Sequence, residues 1–416
     1  MVAPSRSDPY RARPGIGGRR WGAAASSRKG WKVDLGLLSL GFLCLGLLAG
    51  FAMHRSGLCL AGAFRDWFLF RSTRLFPGLV LLVATNTLLF EAARLAGILP
   101  RYPFLLLGPP SVLTPLGGLL FGVGMVLAGG CVVGILYKLG AGSVLAGAAF
   151  ARLVLGSGVY AEIHPWWRAL AAGAPSWPGV LTVPQALEIA PPWLAVPAGA
   201  AGIALFRHRP GRRSGAAPWA APGHLSLPKA ALVLAGVSVA SYLLAGMPLG
   251  ITTCYAKIAA TLTSWVAPDY AAGVAYYGTT PLDAALPGLG LRLVGGPGPG
   301  WDAIAVVQGM AIVGIVLGGF ASAAPLGEFR PALRAPTRQY ASALAGGVLL
   351  ALGSRFSGGC NVWYLLGGLP VFALQSFLFV GGMIPGAWLG ARLLETAVIP
   401  ARLAAAPASR AQGDPP

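Results

Sequence analysis

Two Gly-Gly-Cys triplets, Gly129-Gly130-Cys131 and Gly358-Gly359-Cys360, are the residues of this chain best suited to chemistry. Each follows an apolar segment with regularly placed glycines. Glycine lets a chain turn without steric cost, and a helix broken there exposes backbone N–H groups that attract anions. A cysteine at the break contributes a weak S–H donor and a polarizable sulfur. Those properties suit a soft sulfur anion better than a hard, strongly hydrated ion. Asn361 follows the second triplet directly. Cys59, in Arg55-Ser56-Gly57-Leu58-Cys59, lies in another interrupted stretch, and so does Cys254, with Thr253 before it and Lys257 three residues on. The hydroxyls of Thr252 and Thr253 could help line a polar path, and Lys257 is a candidate charged residue of the same path. A cysteine is also a small apolar residue that packs well beside glycine, so the case for function rests on repetition. Cys44, among leucines in mid-helix, reads as ordinary packing.

The repetition is explicit. Gly117, Gly118, Gly124, Gly129, Gly130 and Cys131 recur as Gly346, Gly347, Gly353, Gly358, Gly359 and Cys360 at a constant offset of 229 residues. Leu120 with Leu349 and Val133 with Val362 keep the same offset. Cys59 and Cys254 form a weaker echo.

The elements that must position these groups are membrane helices. Of 416 residues, 56% are hydrophobic and only 10% charged, and mean hydropathy is +0.69. Soluble domains carry about a quarter charged residues. The apolar runs are long and continuous, which selects helices over a barrel. The chain therefore reads as all-α and polytopic, with about nine spans near 35–53, 77–99, 112–127, 141–160, 188–206, 228–247, 303–323, 342–357 and 371–394. Four Gly-rich stretches, 56–68, 128–140, 249–266 and 357–369, are too short or broken to cross and read as re-entrant segments around a pore. The third expected span matches the eighth, five spans later. An odd offset turns the second copy upside down, so the repeat is expected to be inverted, with its paired breaks near the membrane midplane. The expected organisation is a disordered basic tail at 1–32, a first repeat with one extra span at 33–206, a basic loop at 207–227, a second repeat at 228–396 and a disordered tail at 397–416.

The net charge of +19 falls in the tail and in loops between apolar runs, as the positive-inside rule has it, rather than marking a nucleic-acid surface. No CxxC pair, zinc-ligand spacing or ATP-binding G-x-x-x-x-G-K-[ST] motif occurs, so no metal or other cofactor is expected. No cysteine has a histidine within four residues, which weighs against an enzyme with an activated thiolate. Glu91 and Arg94, three apart, read as a local ion pair, and Trp166, Trp167, Trp177 and Trp193 as interfacial aromatics.

Taken in order, several strings resemble the YeeE/YedE family of sulfur transport membrane proteins. They are Arg55-Ser-Gly-Leu-Cys59-Leu-Ala-Gly-Ala-Phe-Arg-Asp66, Gly122-Val-Gly-Met-Val-Leu-Ala-Gly-Gly-Cys131, Thr253-Cys-Tyr-Ala-Lys257, Gly327-Glu-Phe-Arg330 and Gly353-Ser-Arg-Phe-Ser-Gly-Gly-Cys-Asn361. The resemblance implies an hourglass-like importer of thiosulfate or a related anion in the bacterial cytoplasmic (inner) membrane. In that family three cysteines, matching Cys59, Cys131 and Cys360 here, pass the substrate along by transient S–H···S hydrogen bonds. A small cytoplasmic sulfur-carrier protein is the implied partner. Val132-Val133-Gly134-Ile135 and Val362-Trp363 are bulkier than the small or polar residues expected after each cysteine, and Ser354 stands for an expected Ala. These departures leave the substrate open between thiosulfate and a selenium compound, and a membrane thiol sulfurtransferase or redox protein is the alternative of another class.

Overall fold

A computed structural model describes residues 31–99, 108–177, 179–208, 223–285, 292–331 and 335–398. Most of the two expected tails, 1–32 and 397–416, and most of the 207–227 loop lie outside the described residues, though α1 already begins at Trp31. The first half runs α1 Trp31–Ser56, α2 Leu60–Phe70, α3 Phe76–Leu95, α4 Thr114–Leu127, α5 Val132–Gly140, α6 Val144–Gly173, α7 Val183–Ala186 and α8 Pro192–His208. The second runs α9 Leu227–Ala245, α10 Thr252–Val266, α11 Pro268–Gly273, α12 Met310–Ala323, α13 Thr337–Phe356 and α14 Leu374–Leu393. One short antiparallel hairpin, β1 Leu282–Ala285 with β2 Arg292–Gly295, interrupts the helices.

Among the described residues, seven helical stretches are long and apolar enough to cross a bilayer: Leu35–Phe70, Phe76–Leu95, Thr114–Gly140, Val144–Gly173, Leu227–Ala245, Ala305–Leu326 and Leu374–Val398. The protein is an all-α, multi-pass membrane protein. Two expected spans fall on helices outside that set. One is α8, only 17 residues long. The other is α13, which opens on Thr337-Arg338-Gln339 and closes on Arg355. The stretches Leu35–Phe70 and Thr114–Gly140 each hold a long helix and a short one, α1 with α2 and α4 with α5. The four segments expected to be re-entrant are the short helices α2, α5 and α10 and a helical stretch at 361–368. A bilayer core needs about 20 helical residues, so none of the four spans it alone.

Glycine brings the long helices together. With no hydrophobic drive between helices in lipid, association depends on close packing, which small residues allow. A Cβ on Gly117 would fall within 3 Å of Gly353 O, and one on Gly124 within 3 Å of Gly346 O. The contact is reciprocal: Gly353 backs onto Gly117, and Gly346 onto Gly124. In the 229-residue repeat, Gly353 is the counterpart of Gly124 and Gly346 that of Gly117. So α4 and α13 cross antiparallel through equivalent glycines. The neighbouring positions follow suit, with Gly118 against Phe379 of α14 and Gly347 against Ala149 of α6. A second glycine seam, Gly46 and Gly50 with Gly314 and Gly318, joins α1 to α12.

Arg94 grips Glu91 with two hydrogen bonds, at 2.6 and 2.9 Å, as its spacing foretells. Trp166, Trp177 and Trp193 are exposed, but Trp167 is buried and stacks on Phe356 at 3.9 Å, so it is a core residue and not an interfacial one. Trp167 follows Pro165 by two residues in α6, and Phe356 at the end of α13 receives it.

Candidate functional site

Three of the four interrupted stretches are built alike. A helix ends on a glycine with positive φ, namely Gly57 at 65°, Gly129 at 69° and Gly358 at 82°. The N–H of each returns to a carbonyl three residues back, on His54, Val126 and Arg355, at 3.3, 3.1 and 3.2 Å. The cysteine comes two residues later, and the next helix starts at once. A Cβ on Gly57 or Gly129 would meet nothing within 4 Å, so the left-handed backbone, not a lack of room, demands glycine there. Gly130 and Gly359 are needed for room. A Cβ on Gly130 would sit 3.2 Å from the Gly134 carbonyl carbon, and one on Gly359 would sit 2.8 Å from the Trp363 ring.

The cysteines thus stand at helix N-termini, where orphan N–H groups and the helix dipole favour negative charge. Cys59 caps α2 and Cys131 caps α5, both with extended backbone. Cys131 Sγ accepts a hydrogen bond from Gly134 N–H at 3.3 Å. The amides of Gly62 and Trp363, also three residues on, turn toward the sulfurs of Cys59 and Cys360. At Cys59 this approach falls short of a full capping bond.

The first two breaks meet. The Cys59 and Cys131 thiols lie within hydrogen-bonding reach of one another. They converge over Gly134, where a Cβ would sit 3.1 Å from Cys59 Sγ and 3.4 Å from Cys131 Sγ. The Tyr137 hydroxyl reaches Cys59 from one turn further along α5. Asn361, from the third break, brings its side chain to Cys131, while its Oδ1 remains buried without a partner. A cavity of about 50 Å³ opens beside Cys131 and Asn361, walled mostly by aliphatic side chains such as Met53, Leu58 and Val362. Tyr255 is wholly buried within electrostatic reach of Cys131, Cys254 and Cys360, and its hydroxyl donates to the Val132 carbonyl at 3.1 Å.

Cys254 is different. It lies inside the first turn of α10 rather than at its cap, and its N–H donates to Gln308 Oε1 at 2.9 Å. Thr253 beside it is half-buried. Lys257 is fully engaged elsewhere: its ammonium donates to Gly298 O at 2.6 Å, to Gly300 O at 2.9 Å and to Asp302 at 3.0 Å. An ammonium has three protons, so this one pins the 298–302 loop to α10. Cys59, Cys131, Cys254 and Cys360 are buried free thiols, whereas Cys44 is exposed on the outer face of α1 and does not pack in the core. Its helix is apolar all round, so the leucines beside it give no hint of which face lipid meets.

The structure therefore gathers Cys59, Cys131, Gly130 and Asn361 at one place, sets Gly359 and Cys360 at the adjoining break, and puts Thr253, Cys254 and Lys257 on a separate helix. Sequence reasoning missed Gly134, Tyr137 and Gln308. The signal for Gly134 was present: Cys59 and Cys131 both have glycine three residues on, at Gly62 and Gly134. Gln308 had none, since it comes to Cys254 from 54 residues away.

The family model described as Sulphur transport matches residues 55–389. A thiosulfate transporter, TsuA, of Spirochaeta thermophila is 31% identical over 366 residues, covering 85% of this chain and 98% of that protein. The thiosulfate transporter TsuA of Escherichia coli is 36% identical over 104 residues, 25% of this chain and 28% of its own. A probable transporter of Escherichia coli, YedE, is 30% identical over 129 residues, 31% of this chain and 26% of that one.

Proposed function

The chain belongs to the sulphur transport family, and from that premise we propose that it imports thiosulfate, in a bacterial cytoplasmic membrane, through a path lined by the thiols of Cys59, Cys131 and Cys360. The observation that carries this reading is the confrontation of Cys59 and Cys131 over Gly134, each at the N-terminus of a short helix. Thiosulfate has a soft terminal sulfur and a hard oxyanion end. The thiol protons meet the terminal sulfur as weak donors, and the helix-end N–H groups and dipoles meet the charge. Each helix terminus contributes about 0.3–1 kcal/mol toward an anion, and S–H donors are weaker than O–H or N–H. Conduction needs this balance, favourable enough for the anion to enter and weak enough for it to leave.

In this mechanism no bond to sulfur is made or broken. The anion displaces the Cys59–Cys131 contact, accepts a hydrogen bond from each thiol in turn, and passes by Asn361 toward Cys360. The unpartnered Asn361 Oδ1 accepts from a thiol turned away from its neighbour during the handover. The aliphatic walls of the adjoining cavity give hydrated ions no foothold. The reciprocal packing of α4 on α13 supports an inverted relation between the halves, which sets equivalent breaks back to back near the midplane. A small sulfur-carrier protein on the cytoplasmic side would take up the delivered sulfur. Enzymatic turnover is not part of this reading: the thiols are relays, not nucleophiles.

The test is uptake of labelled thiosulfate in cells that lack their own sulfate and thiosulfate importers, comparing the protein with its Cys131→Ala variant. Uptake by the wild type that vanishes in an equally expressed variant is the expected result. A folded, well-expressed wild type that takes up none refutes the thiosulfate assignment, and selenium oxyanions become the next substrates to try.

A further inference from the structure

We propose that Arg355, with His164 beside it, forms an oxyanion-binding site near Cys254 and Cys360, holding the oxygen-bearing end of a dianion such as thiosulfate when Cys360 engages its sulfur. The inference deepens the transport reading and rests on it for the identity of the substrate, though not for the existence of the site.

Arg355 is the last basic residue of α13 and lies five residues before Cys360. Its guanidinium is held on two sides. NH1 donates to the Tyr276 hydroxyl at 2.8 Å, and NH2 donates to the Thr252 carbonyl at the start of α10. The same group lies 5.8 Å over the Tyr276 ring. The third corner, the Nε–H, is buried and has no partner. A buried donor left unmade is costly, and more so on a charged group. Among the described residues no carboxylate lies within ion-pair distance of Arg355, and Asp302, on the loop that Lys257 pins to α10, pairs with Lys257. The result is a fixed, charged group with one N–H unmade and no resident counter-ion.

A second open donor sits in the same cluster. The His164 ring lies 4.7 Å from that of Tyr276, and its Nδ1 is 3.1 Å from the Tyr160 hydroxyl. His164 Nε2 is also buried without a partner, and it carries the ring proton whenever Tyr160 donates to Nδ1. Arg168 adds positive charge within reach of His164. Arg355 lies within electrostatic range of both Cys254 and Cys360. An anion held there would lie within electrostatic range of these two thiols. Guanidinium matches a flat pair of oxyanion oxygens better than an ammonium does. That would give the protein a hard-end contact to complement the soft-end contacts of the cysteines.

A purely structural clamp is the competing account, because Arg355 also ties α13 to α10 and to Tyr276. The two accounts separate in kinetics. In proteoliposomes holding the full chain, labelled thiosulfate uptake would be measured against concentration for the wild type, Arg355→Gln, Arg355→Lys and Tyr276→Phe, with sulfate as a competitor that has the oxyanion end but no soft sulfur. The expected result is a rise in KM of at least tenfold in Arg355→Gln, a matching loss of sulfate inhibition, partial recovery in Arg355→Lys, and a KM within about twofold of wild type in Tyr276→Phe, which loses the clamp but keeps the charge. An unchanged KM and sulfate inhibition in Arg355→Gln, with only maximal rate or stability lowered, overturns the site. Calorimetric binding of sulfate to the purified protein tests the site without transport. If the wild type carries no thiosulfate yet binds sulfate at least tenfold more tightly than Arg355→Gln, the transport reading falls and the anion site stands. If both bind sulfate alike, the site falls whatever the transport result.

Discussion

Replacing Gly134 by alanine places one methyl group where the two thiols meet. The added Cβ would lie 3.1 Å from Cys59 Sγ and 3.4 Å from Cys131 Sγ, closer than carbon and sulfur settle without displacement. Overpacking of this kind costs about 1–3 kcal/mol. Gly134 is the third residue of α5, and alanine in a helix gains about 1 kcal/mol over glycine. The net effect on folding is therefore small, between about zero and 2 kcal/mol of destabilisation. The effect on permeation has no such offset. An anion must part the two sulfurs at this point, and the methyl is still there when it does. If the full strain appears in the barrier, the rate falls by roughly 5- to 150-fold, taking about 1.4 kcal/mol for each tenfold. Gly129→Ala is the matched control. Its Cβ meets nothing, but its φ of 69° is left-handed, so alanine there costs about 1–2 kcal/mol in folding with no obstruction of the thiols. Thermal unfolding in detergent and initial uptake rate per folded molecule, measured on both variants, give opposite signatures. Gly134→Ala should transport poorly and stay nearly as stable; Gly129→Ala should lose stability and keep its rate. A Gly134→Ala protein that transports at the wild-type rate would show that substrate does not pass between Cys59 and Cys131.

Two further outcomes follow from the surroundings. Lys257→Met leaves the Gly298 and Gly300 carbonyls and Asp302 without their common donor; loss of one partner of such a buried pair costs about 3 kcal/mol, read as a clear drop in thermal midpoint, and an unchanged midpoint would remove its clamping role. A membrane-permeant maleimide should modify Cys44, the one exposed thiol among the described residues, far faster than the four buried cysteines; a Cys44→Ala protein that keeps the fast phase would mean that one of the buried thiols is open in the resting state.

Much of the architecture was legible because the forces that set it act locally. Charge depletion and run length alone identify membrane helices. The four short segments announce themselves by glycines inside apolar runs, since irregular backbone at membrane depth needs protein or water around it. What the sequence could not give is which break meets which. Asn361 lies 230 residues after Cys131 and reaches it only because α4 and α13 cross through paired glycines. Lys257 looked like a free cation beside a thiol. Its partners sit 41 to 45 residues away on a loop with no periodic signal. Trp167 looked interfacial for the same reason, since nothing near it in sequence foretells the stack on Phe356.

The contrast between Cys254 and the other buried cysteines tells why repetition was the better guide than residue type. Cys59, Cys131 and Cys360 share a unit of left-handed glycine, one residue, cysteine, then helix. That unit fixes a thiol at a helix N-terminus regardless of what surrounds it, because the glycine sets the turn and the cap position sets the side chain. Cys254 follows no such glycine and is the third residue of its helix, with its amide spent on Gln308. A thiol there adds polarizable surface but has fewer free backbone donors beside it. The three-cysteine relay and the fourth cysteine are thus separable on backbone geometry alone. Cys254→Ala should accordingly leave a measurable fraction of uptake, where alanine at any of the other three removes a handover that no neighbouring group can replace.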